Sequence, residues 1–143
     1  MPVQMTSLDG FRTLLEAASP AVLTTYRKDG SAQTSPVWFR WTSLAFEVVI
    51  AGDDVKVRHL KRNPSCSLVI FETTFPFRGV ELRGEASLAH CDVTAIRQSI
   101  ATRYLGSEAG ERFAAARTSK PGVLLQLFPT RPRLWDLAAI LAK

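Results

Sequence analysis

The chain is poor in the residues that most hydrolases and metalloenzymes depend on. Its 143 residues include two histidines and two cysteines. His59 and His90 stand 31 positions apart, and the chain has no Cys-x-x-Cys pair and no His-Glu-x-x-His helix, so no metal site is expected. Cys66 and Cys91 do not make a disulfide framework. Cys66 lies in a β-like run and reads as a small buried residue. A Gly-x-Ser-x-Gly elbow is missing, and no glycine-rich loop precedes a helix, so serine hydrolysis and nucleotide-loop chemistry have no motif to rest on. No apolar run approaches the roughly 18 residues of a membrane span, and the start shows no signal-peptide pattern. A cytoplasmic protein without a membrane partner is expected. With no internal repeat and no low-complexity linker, residues 1–143 read as one domain.

What is present is an ordinary globular mixture, 46% hydrophobic and 22% charged, with a net charge of +5. The charge suits an anionic ligand, although the basic residues are spread along the chain. Eight phenylalanines and this charge permit nucleic-acid binding. However, basic and aromatic residues do not interleave along a strand and no RNP-like pattern occurs, so no nucleic-acid partner is expected.

Periodicity supplies the elements. Leu8, Phe11, Leu14, Leu15 and Ala18 share one face at helical spacing, predicting a helix that ends before Pro20. Two β-rich runs flank Asp29-Gly30, a hairpin signal. Pro36 interrupts the second run; it cannot donate to a ladder, so the strand should bulge or lie at an edge there. A third strand, "LAFEVVIA", sets Phe46, Val48 and Ile50 on one side. Val55 to Asn63 is a short helix stopped by Pro64. "SCSLVIFETT" is a fourth strand. In "GVELRGEASLAH", the fifth, Val80, Leu82, Ala86 and Leu88 alternate with polar residues. Asp92 caps a helix carrying Val93, Ile96, Ile100 and Tyr104 and closed by Gly106. A further helix runs from about Glu108 to Arg117, and "GVLLQLFPTRPRLWDL" is a last strand broken at Pro129 and Pro132. Six strands with hairpin-like connections predict a mainly β fold, an antiparallel barrel with helices outside it.

"AGDDVKVRHLKRNP" raises the functional question. Lys56, Arg58, Lys61 and Arg62 fall within seven positions of the short helix. They are either a solvated helix face or a phosphate clamp at a helix N-terminus, where free amides favour anions. Asp54 is in the position of an ordinary N-cap. His59 reads as a partly buried, satisfied histidine.

Taken in order, "KDGSAQTSPVWFRW", "FEVVIAGDDVKVRHLKRNPSCSLVI", "RGVELRGEASL" and "LLQLFPTRPRLWD" resemble the split β-barrel proteins of the pyridoxamine 5′-phosphate oxidase-like superfamily. The likeness is to its flavin and deazaflavin oxidoreductase branch B, and it spans residues 8 to 136. The resemblance implies a homodimer of six-stranded antiparallel split barrels with peripheral helices, like FMN-binding proteins, and a cofactor in a cleft between subunits. It assigns the phosphate to Lys56 and Arg58. It lays the ring along Ser35, Pro36, Val37 and Trp38, then Ile50, Ala51 and Gly52. It brings Phe77, Arg78 and Gly79 in from the partner subunit. Coenzyme F420 is the favoured cofactor and FMN the other candidate. Three positions depart from the family pattern: Asp54 and His59 flank the clamp, and Ala32 stands where proline is common. A carboxylate 4 Å from a phosphate charge repels it by about 1 kcal/mol in water, or about 4 kcal/mol at an effective dielectric of 20.

The expected function is an oxidoreductase moving a hydride between reduced F420, or FMN, and an electron-poor small molecule. Arg78 is a candidate to polarise a substrate carbonyl or hold a carboxylate. No catalytic proton donor is identified; Tyr26 reads as a packing residue. The alternative is a non-catalytic protein that binds or stores a flavin, deazaflavin or haem.

Overall fold

The structure, a computed structural model, describes residues 8–141. Its elements are α1 (Arg12–Glu16), β1 (Ala21–Tyr26), β2 (Ala32–Val37), β3 (Arg40–Trp41), β4 (Phe46–Ala51), α2 (Val55–Arg62), β5 (Ser65–Phe71), β6 (Gly79–Glu85), β7 (Ser87–His90), α3 (Thr94–Leu105), α4 (Ser107–Ala115), β8 (Gly122–Leu127) and β9 (Arg133–Trp135), followed by a 3-10 turn at Ala138–Leu141. Among the described residues, no helix is long and apolar enough to cross a membrane.

Six strand runs were expected, and the described residues form nine strand segments. Three runs divide because they pass from one sheet to the other. One sheet has the order β2-β1-β5-β6-β9, the other β3-β4-β8-β7. The second run supplies β2 and β3, the fifth β6 and β7, and the last β8 and β9. Every pairing is antiparallel. Following them from β1 through β2/β3, β4, β8, β7/β6 and β5 returns to β1, so the six runs close a ring. Strands that change sheets are how such a barrel turns its corners.

Alternation fills the interior. Leu23, Leu68, Ile70, Val80 and Leu82 from one sheet meet Val48, Val123, Leu125 and Leu127 from the other, with Phe39 and Phe46 between them, all nearly inaccessible to water. Cys66 joins this core, and burial pushes its thiol up to about 11. The Asp29–Gly30 hairpin forms as expected. Gly30 supplies the positive φ, and the Asp29 carboxylate accepts the Ser31 amide at 3.0 Å. Asp92 accepts the Thr94 amide at 3.0 Å and so tethers the start of α3. Leu44, expected in the third strand, lies exposed in the turn before β4.

Pro36 does not sit in a bulge. The β1–β2 register runs unbroken from Ala21↔Val37 to Tyr26↔Ala32, with Val22 opposite Pro36. The sheet tolerates the proline because β2 is an edge strand, where a missing N–H costs no ladder partner.

Candidate functional site

A cleft of about 1340 Å³ opens between the β2 edge, the end of β4, the start of α2 and the α3–α4 pair. Two walls line it. One wall is built from strands: Pro36, Val37 and Trp38 from β2 and its continuation, Ile50, Ala51 and Gly52 where β4 ends, then Lys56 on α2. The Gly52 amide donates to the Pro121 carbonyl at 3.1 Å, tying the end of β4 to the start of β8.

The other wall is helical. Arg97, Tyr104, Phe113 and Arg117 line it. Trp38 joins the two walls: it stacks on Tyr104 with ring centroids 5.2 Å apart at 11° and meets Phe113 at 5.2 Å. The Arg117 guanidinium lies 3.6 Å from the Phe113 centroid. The result is an aromatic cluster, its rings packed on one another and capped by a cation.

Hydrogen bonds hold this arrangement. The Tyr104 hydroxyl donates to the Ser19 carbonyl at 2.9 Å and accepts the Phe39 amide at 3.3 Å. Burial raises its pKa, against the Phe39 bond and the Arg103 charge. It is a neutral phenol committed to a carbonyl. Arg103 donates to the carbonyls of Phe39, Leu15, Glu16 and Ala17, fixing α3 to the end of α1. Arg97 is buried, and its guanidinium donates to the Arg117 carbonyl at 2.8 Å and the Lys120 carbonyl at 3.3 Å.

At the start of α2, Asp54 is the N-cap. Its carboxylate accepts the Lys56 amide at 2.8 Å and pairs with the Lys56 ammonium at 2.9 Å. Burial pushes its pKa up, but the bonds and charge of Lys56 outweigh burial and hold it below the ordinary aspartate value. Asp54 therefore caps the helix and partly neutralises the lysine. His59 is buried, its Nδ1 3.0 Å from the buried Thr25 hydroxyl. Burial above all, then Arg62, Arg27 and Arg58, lowers its pKa against the pull of Asp54.

Seven of the twelve residues singled out from the sequence line this cleft: Pro36, Val37, Trp38, Ile50, Ala51, Gly52 and Lys56. Five do not. Ser35 is half-buried on β2, and Arg58 is exposed on the outer side of α2. Phe77 is exposed with φ +57. Arg78 is engaged with Glu72 through its amide at 2.7 Å, Nε at 2.9 Å and Nη2 at 3.1 Å. Gly79 packs under Trp135, whose ring a Cβ would meet at 2.0 Å. The helical wall was not read from the sequence. Its one available signal was Arg97, a basic residue set between Ile96 and Ile100 on the apolar side of α3.

Comparison with known proteins identifies the fold. No curated protein sequence matches the chain. Among solved structures, a conserved hypothetical protein of Mycobacterium tuberculosis is 19% identical, with a TM-score of 0.77 over 92% of this chain and 86% of that one. An F420 reductase is 24% identical, with a TM-score of 0.71 over 87% of this chain and 96% of its own. The haem storage protein HutZ of Vibrio cholerae is 17% identical, with a TM-score of 0.65 over 91% and 94%. The family model described as pyridoxamine 5′-phosphate oxidase matches residues 8–136, nearly all of the sequence, and the chain belongs to that family.

Proposed function

We propose that this protein is an oxidoreductase that moves a hydride between reduced coenzyme F420, or FMN, and an electron-poor small molecule. The observation that carries the reading is the cleft itself. An apolar strand edge, an aromatic cluster and a lysine at a helix N-terminus line one cavity. The residues present fit a flat ring bearing a phosphate. Pro36 to Trp38 and Ile50 to Gly52 offer a flat, largely apolar surface, and the small residues Ala51 and Gly52 let a ring approach the backbone. The α2 amides and Lys56 would hold the phosphate. When bound, the flavin or deazaflavin supplies the hydride chemistry.

The chain's own part is binding, orientation and exclusion of water. Trp38, clamped by Tyr104 and Phe113, is a rigid face against which a substrate is positioned, and positioning supplies much of the rate in such reactions. The homodimer implied by the family resemblance belongs to the same proposal. Phe75 and Phe77 stand exposed, edge to face at 6.2 Å, on the loop before β6, and large aromatics of this kind suit an interface. Light scattering should give twice the 15.8 kDa chain mass; a monomer at micromolar concentration would remove the shared cleft.

One observation favours a non-catalytic binding role instead. Two polar groups of the cleft are already engaged, Tyr104 with Ser19 and Lys56 with Asp54. Turnover separates the readings. Purified protein given reduced F420, or reduced FMN, and an electron-poor acceptor such as a conjugated enone should oxidise the cofactor faster than the uncatalysed mixture. Cofactor binding with no rate increase over a panel of acceptors would leave storage as the function.

A further inference from the structure

The cleft holds more positive charge than the resemblance assigns to it. Lys56 already has a carboxylate at 2.9 Å. Arg97, Arg117 and Lys120 also line the cleft, and among the described residues none of them has a carboxylate within ion-pair distance. Arg97 is 8% exposed, and its guanidinium is met by the Arg117 and Lys120 carbonyls. Carbonyls satisfy its N–H groups but leave its charge uncancelled, and a charge in a low-dielectric wall projects further than one in water.

This end of the cleft is also built to stay in place. Arg97 ties down the loop that carries Arg117 and Lys120. It fits there because residue 122 is glycine: a Cβ would lie 2.7 Å from Arg97 Nη2 and 2.5 Å from Val93 Cγ2. Arg117 is folded over Phe113, which meets Trp38. The aromatic cluster thus adjoins the uncancelled positive charge.

We infer that the α4–β8 end of the cleft is an anion-binding subsite for the substrate, formed by Arg117 and Lys120 with the fixed charge of Arg97 behind them, and that the substrate is a flat, conjugated small acid. The inference rests on the redox reading of the cleft and narrows it. A carbonyl in conjugation makes such a frame electron-poor; the frame packs beside Trp38, and its carboxylate is met by the two cations. The cofactor's phosphate is assigned to the neighbouring start of α2, which the Gly52–Pro121 hydrogen bond of 3.1 Å sets beside the α4–β8 loop.

Benzoate and benzamide test this, because they share a flat frame and differ in charge. Equilibrium dialysis of each against cofactor-free and FMN-loaded protein should show benzoate bound more tightly by roughly tenfold, the effect of one charged hydrogen bond. The Arg117→Gln/Lys120→Gln variant should lose that preference and keep its FMN affinity. Lys120→Glu, at an exposed position, should weaken benzoate and leave benzamide unchanged. Equal binding of benzoate and benzamide by the wild type would overturn the subsite. A double variant that loses FMN affinity but keeps riboflavin affinity would overturn it too, since the two cations would then hold the cofactor's phosphate. If neither FMN nor F420 binds while the benzoate preference still depends on Arg117 and Lys120, the subsite stands and the redox reading falls.

Discussion

The two walls of the cleft are made by different physics. The strand wall is continuous with the barrel: β2 and β4 are fixed by ladder pairing and by the core beneath them. Its residues are small or apolar, and Asp54 matches its one lysine. The helical wall is held by arginines that donate to backbone carbonyls, Arg97 at the α4–β8 loop and Arg103 at the end of α1. It carries the polar aromatic Tyr104 and the unmatched charge. A barrel edge supplies a surface of fixed shape, and a helix pair laid over it supplies charge and chemical identity. On this view the strand wall receives the cofactor and the helical wall selects its partner.

That division can be broken from either side. The largest stability effect is expected from Gly122→Ala. The new Cβ would crowd Arg97 and Val93, and overpacking of this kind costs about 1–3 kcal/mol. Denaturant unfolding should show that loss, together with a weaker hold on benzoate as Arg97 is displaced. A variant as stable as wild type would show that Arg97 has room the structure does not reveal. Asp54→Ala acts on the strand wall. It removes the α2 cap, worth about 0.5–2 kcal/mol, and frees Lys56. Thermal melting should drop while FMN binding tightens. An unchanged affinity would mean that the Asp54–Lys56 pair does not restrain the clamp.

The smallest effect is the response to pH. The buried His59 has a lowered pKa in the folded chain, so the unfolded chain takes up its proton first, near pH 6.5. Its contribution is complete above that value and is lost as pH falls through the lower, folded one. Asp54, Glu72 and Glu81, also lowered by their basic partners, act below the ordinary carboxylate range. Melting temperature should therefore fall between about pH 6.5 and 5, and His59→Gln should flatten that segment. A variant with the same slope would place the proton uptake elsewhere.

The elements of the strand wall were legible from local signals, and their role as a site from the family resemblance. Alternation marks Phe46, Val48 and Ile50 as core, Asp54 sits where an N-cap belongs, and Pro36 announces an edge. The ring of six runs was legible for the same reason. Its division into nine segments was not, since Ala86 continues the alternation of β6 into β7 and nothing local marks the change of sheet. The helical wall was hidden for a different reason. Arg97 occupies a core-facing position of α3, and its partners are the carbonyls of Arg117 and Lys120, 20 and 23 residues away. Carbonyl partners leave no trace in residue type. Gly122 reads as an ordinary strand-start glycine until Arg97 is seen beside it.

Cofactor affinity at the strand wall bears most directly on the central claim. Wild type, Lys56→Ala and Lys61→Ala should be titrated calorimetrically with FMN and with F420. One of the two cofactors should bind the wild type. Lys56→Ala should weaken it by roughly tenfold to a hundredfold, as loss of a charged hydrogen bond of about 1.5–3 kcal/mol requires, and Lys61→Ala, on the exposed side of α2, should bind as the wild type does. Binding of neither cofactor, or equal affinity in wild type and Lys56→Ala, would contradict the account.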